Sequence, residues 1–201
     1  MEDKFAQKAM DWDNPEKMMM TNAFVVEMFK SVEPQSNWKA MEIGAGTGQV
    51  GMQVLPRVQA MIFEDTSEAM LGILKQKITG NDNAEVIHGE VFEYQNKDID
   101  FIFSCMAFHH LPDIDKALNH IYKITNEKAI IVVGDIRSED GSFHRFEPIP
   151  HKGFDTDQLS SQFKKAGFNV KSAETYNVLR RERVPGIMSE YEQFILIAEK
   201  I

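Results

Sequence analysis

The sequence predicts an α/β fold built on a mostly parallel sheet, and three observations carry that prediction. Short apolar runs alternate with helical patterns along most of the chain, which is how repeated strand–helix units read. Asp100–Cys105 is apolar almost throughout, as a strand covered on both faces must be. The length of 201 residues fits one domain, and 43% apolar residues are enough to bury a core.

Taken in order, Asn14-Pro15-Glu16 starts a helix, because Asn caps and Pro is tolerated where its missing N–H has no partner. That helix runs to about Val32, before Glu33-Pro34. The first strand, Lys39–Ile43, ends in the turn Gly44-Ala45-Gly46-Thr47-Gly48 and a helix over Gln49–Leu55, closed by Pro56. A second strand at Ala60–Glu64 precedes Ser67-Glu68-Ala69-Met70-Leu71, which opens a helix to about Ile78. Gly80-Asn81-Asp82-Asn83 stops it. Strands follow at Ala84–His88 and Asp100–Cys105. Pro112-Asp113 then starts a helix with Ile114, Ala117, Leu118, Ile121 and Ile124 on one face. The fifth strand is Ala129–Gly134. Asp135 to Lys152 has no periodicity and reads as a long loop, a length more often functional than idle. A helix at about Asp157–Ala166, a strand near Asn169–Tyr176 and a last strand at Glu192–Glu199 complete the chain, with no internal repeat.

The balance of 22 basic against 31 acidic residues, a formal charge of −9, opposes a phosphate-backbone partner or an anionic membrane surface. The N-terminal MEDKFAQKAMDWD has no apolar segment of the secretory kind, and no apolar run approaches the roughly 20 residues of a membrane helix. A single Cys105 in an apolar run reads as a small buried hydrophobe. A cytoplasmic location is the default expectation.

The turn Glu42-Ile43-Gly44-Ala45-Gly46-Thr47-Gly48 lies where a strand becomes a helix. Glycines there let the backbone turn tightly and approach a ligand, and the helix N-terminus offers N–H donors. Asp65 follows the second strand about 20 residues after Gly44, the separation expected of an acid that grips ribose hydroxyls. Glu64 competes for that role, and Asp65 is preferred because it directly precedes Thr66-Ser67. A nicotinamide-binding fingerprint needs its third glycine where Gln49 stands, so a dinucleotide cofactor is disfavoured.

These motifs resemble those of the class I S-adenosylmethionine-dependent methyltransferases, of the small-molecule, ubiquinone/menaquinone-biosynthesis-like type. Glu42 to Gly48 looks like the family's first motif, and Asp65-Thr66-Ser67-Glu68-Ala69-Met70-Leu71 is similar to its Asp-x-Ser-x-x-Met-Leu stretch. His88-Gly89-Glu90 resembles the end of its third strand, and Ser104 to Asp113 its fourth-strand motif. The resemblance implies a Rossmann-like three-layer sandwich with a seven-stranded sheet whose last strand runs antiparallel. It implies one domain: a helical cap over 1–35, a cofactor-binding half over 36–135, and a substrate loop with the C-terminal strands over 136–201. It also implies that Gly44, Ala45, Gly46 and Gly48 border the methionine part of S-adenosylmethionine, with Glu42 orienting the loop. Asp65 would bind the ribose, Thr66, Glu90 and the Val91 backbone would meet the adenine, and the Ser104 carbonyl would accept from the methionine amine. Glu90 departs from the commoner Asp.

Methyl transfer mainly requires an acceptor held in line, and a base only where the acceptor carries a proton. Histidine suits that role near neutral pH. His110, His109, His151 and His144, in that order, are the candidates; His109 and His110 have the alternative of helix-entry histidines bonded to backbone, and His151 that of bracing the Gly153 turn. No tight His-x-x-x-His or Cys spacing supports a metal site, so none is expected. Trp12 and Met18, Met19 and Met20 either cover the cofactor or pack the first helix. Arg180-Arg181-Glu182-Arg183, the one basic spot, either binds an acidic acceptor or is a solvated strand-end loop, and the second reading is preferred. The expected partner is a small-molecule methyl acceptor, with the chain a monomer or homodimer. A nicotinamide-dependent oxidoreductase and a non-catalytic S-adenosylmethionine-binding protein acting through a partner are the rival readings.

Overall fold

A computed structural model describes residues 6–201. The first five residues, and with them the start of the charged N-terminal stretch, lie outside the described residues. Five parallel strands form the body of one sheet: β1 (Lys39–Ile43), β2 (Ala60–Asp65), β3 (Ala84–His88), β4 (Ile99–Cys105) and β5 (Thr125–Ile136). β6 (Phe168–Val184) and β7 (Ile187–Lys200) complete it in the order β3-β2-β1-β4-β5-β7-β6, with β7 antiparallel to both neighbours. The α/β, seven-stranded architecture with an antiparallel last strand is therefore as expected.

Alternation along the strands sends side chains into two cores. Met41, Ile43, Ile62, Ile102, Ile131 and Val133 meet Leu118 and Ile121 of α4 (Ile114–Ile124) and Leu159 and Phe163 of α5 (Thr156–Lys165). Ala40, Met61, Phe63, Phe101, Phe103 and Val132 face the other way. They meet Phe24 and Met28 of α1 (Pro15–Ser31), Val54 of α2 (Gly51–Val54), and Leu71 and Leu74 of α3 (Glu68–Lys77). Apart from Ala40, each such side chain gains about 1.5–3 kcal/mol from burial. The starts of α1, α3, α4 and α5 carry side-chain caps: Asn14, Ser67, Asp113 and Asp155 each accept from a backbone N–H of the first turn. Among the described residues no helix is long and apolar enough to cross a membrane.

Four elements depart from expectation. The helix expected over Gln49–Leu55 is only Gly51–Val54, and Pro56 lies inside a following 3-10 turn, Leu55–Arg57. β5 starts at Thr125 and continues through Asp135 and Ile136, which read as loop; ladder pairs with Phe194 and Gln193 of β7 hold that end. β6 and β7 run well past their expected limits and meet at a turn with Gly186 at φ 78°. Ladder pairing of β7 with β5 ends at Ile136↔Gln193, followed only by the Arg137 N–H to the Glu192 carbonyl at 2.9 Å, so Ile187–Tyr191 pairs with β6 alone and the two strands form a projecting ribbon. Arg180-Arg181-Glu182-Arg183 lies in this ribbon rather than in a loop. Arg180 pairs with Glu190 at 2.9 Å across it, Arg181 reaches Glu16 of α1 at 2.6 Å, and Arg183 lies over the Phe143 ring. Charged side chains on both strands hide the pattern that apolar alternation would have shown.

The seat of α1 on the sheet is tight at one point. A Cβ on Gly134 of β5 would stand 2.3 Å from the fully buried Phe24 ring. Gly134→Ala is expected to destabilise the fold by about 1–3 kcal/mol, read as a fall of several degrees in Tm by circular dichroism. An unchanged Tm would show that this contact is not close-packed.

Candidate functional site

β1 and β4 are neighbours, yet their connections leave toward opposite sides of the sheet, and such a switch point opens a crevice at the carboxyl ends of the strands. The turns after the two strands touch there. Gly44 has φ 70°, and a Cβ on it would lie 2.3 Å from that of Ala107. Gly46, at φ 55°, opens instead toward Trp12, whose Nε1 would be 3.7 Å from an added Cβ. A cavity of about 360 Å³ fills the crevice, walled by the turn, by Glu42, Glu64, Asp65 and Glu90, and by Met106 and His110.

The acids at its base hold the turn in shape. One carboxylate oxygen of Asp65 accepts from the Gly46 N–H at 2.6 Å, and the other accepts from the Ser67 N–H at 2.8 Å. Glu42 is buried and accepts from the Gly51 N–H at 3.0 Å; burial pushes its carboxyl well above the usual range. Glu64 accepts from the Gly44 N–H at 3.4 Å. Burial, reinforced by the charge of Asp65, pushes its carboxyl up to about 8.

The other expected cofactor residues divide. Gly44, Ala45, Gly46, Thr66, Glu90 and Val91 line the cavity with Glu42 and Asp65. Gly48 and Ser104 stand outside that lining. A Cβ on Gly48 would strike Leu74 of α3 at 2.4 Å, so this glycine serves packing. Ser104 is fully buried and donates its hydroxyl to the Ile43 carbonyl at 2.9 Å. Cys105 and Met106 line the cavity in its place. Cys105, expected as a buried hydrophobe, is only partly buried. Met106 has φ 57°, held by its N–H to the Gly134 carbonyl at 2.7 Å and by Gln193 against its sulfur.

The N-terminal segment is strapped over the glycine turn by a residue that sequence reasoning passed over. Asp13 accepts from the Thr47 hydroxyl, the Gln49 amide and the Lys77 ammonium, and Lys77 also donates to the Thr47 carbonyl at 2.7 Å. Burial raises the Asp13 carboxyl, but these hydrogen bonds and the Lys77 charge outweigh it, and the group lies below its usual value. Asp13 stands just before the Asn14-Pro15 helix start and carries no local signal of its own, since its partners are Thr47, Gln49 and Lys77. Trp12 and Met20 consequently face the cavity, while Met18 and Met19 are exposed.

The histidines expected near the carboxyl ends converge. His109 is buried, and its Nδ1 lies 2.6 Å from Asp135, a fully buried carboxylate that also accepts from the His109 and Ile136 N–H groups. The His109 ring centroid is 4.2 Å from that of His110 and 4.8 Å from that of His144. His110 alone of the three lines the cavity. His151 donates its backbone N–H to the His109 carbonyl at 3.2 Å and packs on Phe154; its Nε2 is buried without a partner among the described residues. The Asp135–His109 pair had no signal in the sequence beyond an acid counted in a loop.

A family model described as a methyltransferase domain matches residues 40–128, which span β1 to the start of β5. An uncharacterized methyltransferase of Oceanobacillus iheyensis is 30% identical over 117 residues, covering 56% of this chain and 54% of the relative. Malonyl-[acyl-carrier protein] O-methyltransferase 1 of Ilyobacter polytropus is 28% identical over 60% of this chain and 46% of its own length. The chain spans about half the length of these curated relatives. Among solved structures, the methyltransferase in a complex with the Haloferax volcanii Trm112 methyltransferase activator superposes with a TM-score of 0.83 at 13% identity, covering 99% of this chain and 98% of that one. A SAM-dependent methyltransferase of Aquifex aeolicus gives 0.72 at 18% identity, covering 98% of each. The fold is that of S-adenosylmethionine-dependent methyltransferases.

The protonated state of Glu64 sets a pH dependence. Its carboxyl ionises near 4.5 in an unfolded chain and near 8 in the fold, so between these values the unfolded chain holds fewer protons. Stability then falls as pH rises through that window and levels above it. Glu64→Gln removes the effect, so the variant's Tm advantage over the parent is expected to grow from about pH 5 to about pH 8, by at most about 1.4 kcal/mol per pH unit. A gap that stays constant with pH would show Glu64 ionised in the fold.

Proposed function

We propose that this chain, which carries a methyltransferase domain match over residues 40–128 on the methyltransferase fold, moves a methyl group from S-adenosylmethionine to a small-molecule acceptor. The observation that carries the reading is Asp65. Its carboxylate stands in the cavity wall at the end of β2, with the glycine turn folded against it. The residues present fit the cofactor: Gly44 lets the turn pack against Ala107, Gly46 opens toward Trp12 in the cavity wall, and acids line the end where hydroxyl and amino groups are to be held.

In this reading Asp65 accepts from the ribose hydroxyls, Glu90 and the Val91 backbone meet the adenine, and Glu42 holds the turn that faces the methionine end. Bound S-adenosylmethionine supplies a methyl group on a sulfonium, whose positive charge makes the thioether a ready leaving group. The chain's remaining task is to hold the acceptor in line and keep water away, and orientation of that kind supplies about 7–11 kcal/mol in favourable cases. Trp12 and Met20 cover the cavity and give the acceptor an apolar wall. His110 is the residue placed to receive an acceptor proton, with His109 and Asp135 behind it. His109 and His151, expected beside it in catalysis, act as positioning residues, since neither lines the cavity. A small acceptor, such as those of ubiquinone/menaquinone-type enzymes, suits this roofed cavity, and the charge of −9 disfavours nucleic acid.

A second reading, cofactor binding in the service of a protein partner, draws on the fold neighbour held in a complex with an activator. Turnover by the isolated chain with a panel of small acceptors tells the two apart.

Titration calorimetry with S-adenosylhomocysteine is expected to give micromolar binding, weakened tenfold or more, at least about 1.4 kcal/mol, by Asp65→Ala. Affinity unchanged in that variant would remove Asp65 from the ribose role. No binding to the parent at high micromolar concentration would overturn the cofactor reading.

A further inference from the structure

We propose that His109, His110 and His144 form a binding site for one first-row divalent cation of the zinc type, with its open coordination position toward the cavity. Nothing in the spacing of these residues announces the site, because His144 comes from a loop beyond β5 while His109 and His110 follow β4. The fold closes that separation. One potential ligand nitrogen from each ring lies within 4.8 Å of the other two.

The donor set determines the class of cation. Three imidazole nitrogens favour zinc, cobalt, nickel or copper over magnesium or calcium, which take oxygen ligands. Asp135 supplies the support that metal-bound histidines usually have. Its carboxylate already accepts from two backbone N–H groups, and at 2.6 Å it takes a third hydrogen bond from His109 Nδ1. That contact keeps the proton on Nδ1 and leaves the Nε2 lone pair for a ligand, the carboxylate–histidine–metal arrangement. Asp135 also places a negative charge behind the site, in a region with 0% exposure, where it offsets part of the cation's charge.

Tetrahedral coordination at about 2.0–2.1 Å requires donor nitrogens roughly 3.4 Å apart, so the rings must draw together on binding. His144 can make that adjustment. It ends a 3-10 turn, Ser142–His144, flanked by Gly141 at φ 104° and Arg145 at φ 56°, and its ring is partly exposed. His109, locked by Asp135, is the fixed ligand. Three protein ligands leave a fourth position, as catalytic zinc sites do. His110 borders both the cluster and the cavity, which directs that position toward the acceptor.

The role of that position rests on the methyl-transfer reading above, whereas the cation site itself does not. With the cation bound, His110 is a ligand and no longer receives the acceptor proton; an acceptor with an O–H or S–H group bound there would instead lose its proton to bulk water at neutral pH. Zinc lowers the pKa of bound water to about 7 and deprotonates a coordinating thiol outright.

The test uses the full chain, freed of metal by chelation and titrated with Co²⁺ while visible ligand-field bands are followed. One equivalent of four-coordinate cobalt is expected, displaced by one equivalent of Zn²⁺. His144→Ala and His109→Ala should each weaken binding more than tenfold, and Asp135→Asn should weaken it by about 10–100-fold. His88→Ala, on the far edge strand β3, should change nothing. No cobalt bands in the folded parent chain, or bands unchanged in His144→Ala, would overturn the site. His144→Ala changes a loop residue, and far-ultraviolet circular dichroism verifies its fold. Adding 2-mercaptoethanol to the cobalt form should produce a sulfur-to-cobalt charge-transfer band. Cobalt bands without it would overturn the open position alone. S-adenosylhomocysteine calorimetry on the same samples keeps the readings distinct: cofactor binding without cobalt refutes the cation site, and cobalt without cofactor binding refutes the methyl-transfer reading.

Discussion

The carboxylate of Asp65 is the joint from which the site is built. One oxygen holds the glycine turn through the Gly46 N–H and the other holds the Ser67 N–H at the start of α3, so two segments that follow different strands share one anchor. Glu42 and Glu64 do related work beneath it, each accepting one backbone N–H of the segment that follows β1. Three acids in so small a volume would repel one another if all were charged. Burial resolves the conflict by holding the Glu42 and Glu64 carboxyls well above their usual range, the Glu64 carboxyl at about 8.

From this base the cover over the cavity follows. Asp13 gathers Thr47, Gln49 and Lys77, so that the segment before α1 is tied both to the turn and to the end of α3. Trp12 is thereby set against the glycine turn, and Met20, one turn into the helix, completes the wall. Gln49, whose side chain denies the chain a nicotinamide fingerprint, has a positive use here: it also accepts from Thr21 of α1 at 2.7 Å. The projecting β6–β7 ribbon braces the other side through Arg181 to Glu16, and through Tyr191, whose hydroxyl lies 2.7 Å from that of Ser142.

The extension of β5 has the largest chemical consequence. Had the strand ended at Gly134, Asp135 would be a solvated loop acid. Ladder pairing with Phe194 instead carries it into the interior, where it is fully buried and meets His109. The same strand end seats the loop of His144 and His151, because Arg137 pairs with Phe154 and the Gly153 turn lies against the Arg137 backbone.

Local chemistry was enough to read much of this protein. Asn14-Pro15, Ser67, Asp113 and Gly44 to Gly48 act within a few residues of themselves, so caps, turns and most strand limits were legible, and with them the fold class and the position of Asp65. A motif names positions without saying what packs around each one; that Gly48 lies against Leu74 and that the Ser104 hydroxyl bonds the Ile43 carbonyl was decided by the packed fold. The length of β6 and β7, the strap made by Asp13, the burial of Asp135 and the meeting of three histidines all depend on groups brought together from distant parts of the chain. Hydrogen bonds and ring contacts at such separations leave no periodic trace, and only the packed sheet, by closing those distances, determined them.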